Sequence, residues 1–227
     1  MNLYAIFAFI TTILAASWVL ADKGICDPEE IENEASEVVV AFEQAGLIGS
    51  NLPAAPSEFL GVKFLAAEPK LGECLSPERF IFSPTAFVYD ADPKINYTVV
   101  FVMPSAVAPV LSDVLISLCM NVDGATLSVY AGNRVVAPWI FVSPAPGSAQ
   151  WVYGLLYKQR RSINLFDSTL IDLSIRRVNF NLAELVAKYS LGDPVAGNFW
   201  KTAVPKNYGK NCGVELGCVK NSACEYY

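Results

Sequence analysis

The chain has 227 residues and a formal charge of −6 at neutral pH, with 53% apolar residues, 17% charged residues and no histidine. That length and composition suit one domain with a sizeable core rather than a disordered chain, and an acidic balance without a basic run argues against nucleic acid and anionic membrane surfaces as partners. The lack of histidine excludes Ser-His-Asp and Cys-His catalysis and every His-containing zinc site.

Residues 3–20 carry no charge, and Asp22 and Lys23 end that run. With Val19-Leu20-Ala21 at the cleavage positions, residues 1–21 read as a secretory signal peptide removed from the mature protein. A membrane anchor is the alternative reading of the same run. Secretion permits disulfides. The six cysteines, Cys26, Cys74, Cys119, Cys212, Cys218 and Cys224, allow fifteen pairings. Three lie in the body and three in the tail, so complete internal pairing needs an odd number of body-to-tail bonds. Cys119 sits in an apolar run and reads alternatively as a buried thiol. No C-x-x-C spacing supports a metal site, and no cofactor is expected.

The mature chain opens with a helix. Asp27 caps it, Pro28 suits its first position, Glu30 completes a capping box, and Ile31, Ala35, Val38 and Phe42 form its apolar stripe up to Gly46. Its acidic side reads as a solvated face, with a docking surface for a basic partner as the minority reading. After a Pro-rich loop at 51–57, the alternation Leu60, Val62, Phe64, Ala66 predicts a half-buried strand. Residues 74–84 read as a Pro-bearing connection and 86–89 as a short strand. Residues 97–103, Tyr-Thr-Val-Val-Phe-Val-Met, are apolar on both faces except at Thr98 and are closed by Pro104. They predict a strand buried on both sides. An uncharged connection follows at 105–109, at a strand end of the kind where folds place ligand sites. The sequon Asn96-Tyr97-Thr98 precedes it; a sugar there and a sequon hidden by folding are both open.

Residues 111–121 form a second apolar run that ends in the Asp123-Gly124 turn, and 127–130 read as a short strand. Residues 135–142 are extended, with Pro138 marking a bulge or an edge. A loop at 143–149 leads into a strand at 151–159. Arg160-Arg161 reads as a solvated turn, with a docking pair as the minority reading. Asn181 and Glu184 make a second capping box over the stripe Leu182, Leu185, Val186, Tyr189, with Gly192 as the left-handed end and Pro194 beyond it. A strand returns at 195–202. The tail from 206 is Gly-, Asn- and Cys-rich and needs stapling. The expected division is a signal peptide at 1–21, a domain at 22–205 and a Cys-rich tail at 206–227.

The order of these elements, with Pro56-Ser57…Leu60-Gly61-Val62, Leu71-Gly72-Glu73-Cys74-Leu75-Ser76-Pro77, residues 97–104, Asn121-Val-Asp-Gly124, residues 153–159 and Asn181…Tyr189-Ser-Leu-Gly-Asp-Pro-Val-Ala-Gly-Asn-Phe199, resembles the phosphatidylethanolamine-binding protein (PEBP) family. The match runs from about residue 38 to 202. It implies a mainly β, Greek-key fold with a large antiparallel sheet, a smaller sheet and flanking helices. The family's pocket motifs do not carry over. Where the resemblance expects Asp-Pro-Asp-Ala-Pro, the chain reads Met103-Pro104-Ser105-Ala106-Val107. Where it expects a His on the next strand stands Ile116, and where it expects His-Arg after a Gly-rich loop stand Gln150 and Trp151. Two lost charged contacts at roughly 1.5–3 kcal/mol each weaken an anion by about two to four orders of magnitude.

Three functions follow for comparison. The first is a secreted, non-enzymatic protein acting on an as yet unknown protein partner; the resemblance implies inhibitor-like action, for instance on a serine carboxypeptidase, with residues 27–46 contributing. The second is a carrier of a small apolar or lipid ligand in a remodelled pocket around Met103, Ser105, Ile116, Trp139, Gln150 and Trp151, residues of kinds that are more often plain core than ligand contacts. The third, an enzyme built on paired carboxylates, lacks an acid close to the expected pocket.

Overall fold

The computed structural model describes residues 29–49, 52–104, 113–127, 135–141 and 143–204. They fall into two compact units, one ending at Glu34, of which residues 29–34 are described as helical backbone, and one running from Ala35. The leader at 1–21, the Asp27-Pro28 cap, the 105–109 connection with Ser105, the 128–130 strand and the tail from 206 lie outside the described residues.

Helix α1 (Glu29–Gln44) ends before Gly46, whose φ of +68° supplies the left-handed exit. Short strands β1 (Glu58–Phe59), β2 (Gly61–Lys63) and β3 (Glu73–Leu75) follow, and then one 3-10 turn at Pro77–Phe80. Leu60, Val62 and Phe64 point inward as their alternation requires, whereas Ala66 is exposed. Strand β4 is Ala86–Val88, and β5 is Asn96–Met103, with every residue from Tyr97 to Val102 buried. β6 (Val114–Asp123), β7 (Val135–Ala137), β8 (Ser148–Lys158), α2 (Ser168–Ile175), α3 (Leu182–Tyr189) and β9 (Ala196–Val204) complete the order.

Among the described residues the large sheet has seven strands. Its main path runs β1-β9-β8-β5-β6-β7, while β2 and β4 pair antiparallel as a second sheet. β5, β6 and β7 pair in succession, and β8 then returns to the free edge of β5. That 8-5-6-7 order is a Greek key. The body of the sheet is antiparallel. At its margin β1 and β3 both lie parallel to β9, so the sheet is mixed there. The connection expected at 74–84 therefore contributes a strand and a 3-10 turn.

Alternation on β5 and β8 sorts the apolar residues into two cores. Val100, Val102, Tyr153, Leu155 and Phe199 face Val38 and Phe42 of α1, Leu170 of α2, and Leu182 and Leu185 of α3. Val99, Phe101, Val152, Leu156 and Trp200 face Val62 and Phe87 of the small sheet and Phe80 of the 3-10 turn. Gly154 makes this layering fit: a Cβ there would stand 2.3 Å from the Phe101 ring.

One helix N-cap was readable and another was not. Asn181 Oδ1 accepts from Glu184 N at 3.1 Å and its Nδ2 donates to Glu184 Oε1 at 3.0 Å, the expected capping box. The helix closes on Ser190, at φ +53°, and Gly192, at φ +74°, follows as a second left-handed residue. Helix α2 has no counterpart in the sequence reading. Asp167 caps it by accepting from Thr169 N at 2.9 Å, but Leu170 is its one buried side chain, so it has no apolar stripe to announce it.

Candidate functional site

β5 ends at Met103, in register with Val114 of β6. Beyond it Pro104 breaks the ladder because it has no N–H to give, and its carbonyl accepts from Gln150 Nε2 at 2.8 Å. Gln150 stands opposite Thr202 of β9, whose hydroxyl donates to the Gln150 carbonyl at 3.3 Å. It shares strand phase with Val152 and Leu156, both members of the core against the small sheet. Met103, Ile116 and Trp139 pack into that same core, Ile116 fully buried and the other two in part. The structure thus brings Met103, Ile116, Trp139 and Gln150 to one face at one end of the sheet.

Trp151 is not among them. The two-residue period of β8 turns it to the opposite face, where its ring meets Phe199 edge-on at 5.5 Å and Lys201 Nζ lies 4.8 Å from its centroid. Reading Gln150-Trp151 as a replaced pair treated neighbouring positions as one site, but neighbouring positions on a strand face apart. Ser105 lies outside the described residues.

The wall beneath the group is aromatic. Trp139 meets Phe64 and Phe101, each at 5.3 Å, and donates its indole Nε1 to the Phe80 carbonyl at 2.9 Å. Phe80 in turn stacks on Trp200 at 5.2 Å. Trp200 Nε1 is buried without a hydrogen-bond partner, so this wall holds an indole donor that the fold leaves unmatched.

Two charged residues that sequence reasoning passed over stand close by. Arg177, just after α2, donates Nη1 to the carbonyls of Ile116 at 3.2 Å and Pro138 at 2.9 Å, and Nε to Ser174 at 3.2 Å. Ile140 N also donates to Ile116 O at 3.1 Å. The guanidinium therefore ties to β6 the segment that carries Trp139. Its position depends on α2, which the sequence did not reveal. Asp113, buried beside the start of β6, is the nearest acid in sequence register to Met103. Burial pushes the Tyr153 phenol well above its usual value, and the Asp113 charge adds to that; Tyr153 belongs to the helix-side core, so this acid acts on the other face. Among the described residues no cluster of three acidic or cysteine side chains is placed to hold a metal ion.

No family profile matches the chain. Over 161 residues, 66% of the chain, it is 29% identical to a Drosophila melanogaster protein named putative odorant-binding protein A5, covering 75% of that protein. It is 27% identical over 169 residues to a 26 kDa secreted antigen of Toxocara canis, covering 71% of this chain and 62% of the antigen. Among solved structures it is similar to a carboxypeptidase Y inhibitor complexed with its cognate proteinase (TM-score 0.60, 15% identity, 74% of this chain and 96% of the inhibitor). It is also similar to the phosphatidylethanolamine-binding protein of Plasmodium vivax (TM-score 0.57, 13% identity, 74% of this chain and 97% of that one). The chain has a PEBP-like fold: its mainly β architecture, with a large sheet, a small sheet and few helices, is that of these neighbours. Proteins similar to it in sequence or in fold are named for binding, secretion or inhibition.

Proposed function

We propose that this chain is a secreted, non-enzymatic binding protein that keeps the PEBP scaffold but not its grip on anionic head groups, and that it acts on a protein partner in the manner of an inhibitor. The observation that carries this is the hydrogen bond from Gln150 Nε2 to Pro104 O at 2.8 Å. Gln150 and the Trp139 indole are the hydrogen-bonding groups among the four gathered residues; the indole gives its single N–H to Phe80 O, and one of the two Gln150 amide hydrogens goes to Pro104 O. An anion arriving there meets no charge among these four residues and at most one uncommitted N–H, on a neutral amide. The surface supplies apolar material for a partner instead: Phe166 is 86% and Ile175 76% exposed, with Ile171 and Val178 also exposed around α2. Similarity to an inhibitor seen with its proteinase supports the choice of a carboxypeptidase as the partner class to test first.

A second reading is a carrier of a neutral apolar ligand. The aromatic wall of Phe64, Phe80, Trp139 and Trp200 and the unmatched Trp200 indole favour it, as does similarity to a protein named for odorant binding.

Calorimetric titration with a soluble phosphoethanolamine tests the shared premise. The expected result is no saturable binding; micromolar binding that Gln150→Ala abolishes would refute it. Mass spectrometry of the purified protein separates the two readings, since a stoichiometric co-purified apolar molecule moves the assignment to the carrier.

A further inference from the structure

Asn96-Tyr97-Thr98 is the single Asn-x-Ser/Thr sequence in the chain. Asn96 opens β5, paired with Asp123 of β6, and its main-chain carbonyl accepts from Gln159 N at 2.8 Å. Its side chain is half-buried, at the end of the exposed turn Asp92–Lys94. Thr98 is different: it is fully buried, and its hydroxyl donates to Gln159 Oε1 at 3.2 Å. The two polar residues of the sequon thus have different fates in the fold, the asparagine partly exposed and the threonine sealed inside, beside Tyr157 of β8.

We infer that Asn96 carries an N-linked glycan, added before β5 is enclosed. The inference rests on the secretion reading above. The chemistry needs a lipid-pyrophosphate-linked oligosaccharide and the host transferase. The Asn96 amide nitrogen forms a bond to the anomeric carbon of the sugar, the carbon–oxygen bond to pyrophosphate breaks, the lipid pyrophosphate leaves, and the amide gives up one proton. Recognition requires the hydroxyl two residues on. In the folded chain Thr98 cannot present that hydroxyl, so transfer belongs to the unfolded, translocating chain. Folding afterwards buries Thr98 and leaves the modified Asn96 at the rim. Asn96 and Met103 stand at opposite ends of β5, about 23 Å apart at roughly 3.3 Å per residue, so the sugar leaves the Met103 end of the sheet open.

The test is to express the full chain in eukaryotic secretory cells, with its own first 21 residues and separately with a standard secretory leader in their place. Intact mass is read before and after peptide-N-glycosidase, in lysate as well as medium, so that a variant retained in the cell still scores. The expected result is one glycan on the unsubstituted chain and on Thr98→Ser, and none on Asn96→Gln or Thr98→Val. An unmodified chain with both leaders, or a glycan that survives Asn96→Gln, overturns the proposal. A glycan seen only with the exchanged leader supports Asn96 as the site and overturns secretion by the chain's own leader.

Discussion

At the scale of single residues, the most constrained group is the amide network around Gln159. Its Oε1 accepts from Asn121 N at 2.7 Å and from the Thr98 hydroxyl at 3.2 Å, while its Nε2 donates to Asn121 Oδ1 at 2.9 Å and to the Arg161 carbonyl at 3.2 Å. Asn121, held at φ +55°, passes the connection on to Ile163 through both its amide atoms. All three side chains are buried, so each broken bond leaves a polar group without water. Gln159→Leu orphans several such groups at roughly 1–3 kcal/mol each. A loss of about 3 kcal/mol or more is expected in denaturant unfolding. Gln159→Glu puts a carboxylate oxygen against the Asn121 Oδ1 and Arg161 carbonyl acceptors in a buried site, so it should cost at least as much at neutral pH.

At the scale of elements, two contacts fix α2. One is at its start, where Lys188 Nζ of α3 reaches Asp167 Oδ1 at 2.8 Å. The Lys188 hydrogen bond and then the Thr169 amide hold the Asp167 carboxyl down at about 2, below its usual 3.8. The folded form binds this proton less readily than the unfolded chain. The stabilisation is therefore complete above about pH 4 and is lost as pH falls towards 2. Protection of the Thr169 amide, relative to its intrinsic exchange rate at each pH, should fall over that window, and Lys188→Met should lower it at neutral pH and flatten the acid dependence. The other contact is Arg177, just past the end of the helix. Arg177→Met removes charge-assisted bonds worth roughly 1.5–3 kcal/mol each, so exchange at the Ile140 amide should rise about tenfold or more while the β5–β8 amides hold. Much of this fold was legible in advance where a periodic pattern or a cap stood in the sequence: the buried run of β5, the Asn181–Glu184 box and the stripe of α3. What escaped lacked such a signal. α2 buries a single side chain, β3 is three residues long and exists through its pairing with β9, and Arg177 matters only because α2 delivers it to Ile116 and Pro138. Of the candidate site, Met103, Ile116, Trp139 and Gln150 converge, whereas Trp151 was carried along by adjacency in sequence.

At the scale of the whole molecule, no histidine is present, and the protonation equilibria that the fold shifts most clearly are those of phenols. Burial raises the Tyr153 and Tyr157 phenols above the usual 10, helped by the Asp113 and Asp193 charges respectively, and raises Tyr89 to about 12 with a contribution from Glu58. The unfolded chain loses these protons first as pH rises. Stability should thus be level through neutrality and decline above about pH 10, where unfolded tyrosines begin to ionise. Denaturant midpoints across pH 6–11, followed with tyrosinate absorbance, check this; an unfolding midpoint unchanged at pH 11 would count against the buried phenols. The separation of the two cores also has an experimental use. Trp139 and Trp200 are on the small-sheet side, and Trp151 is on the helix side beneath an ammonium group. The molecule therefore carries a separate fluorophore on each side of its main sheet. With Trp18 also replaced, Trp151→Phe leaves emission from the small-sheet side, and Trp139→Phe together with Trp200→Phe leaves emission from the helix side, so quenching by an added ligand or partner would report which layer it had reached.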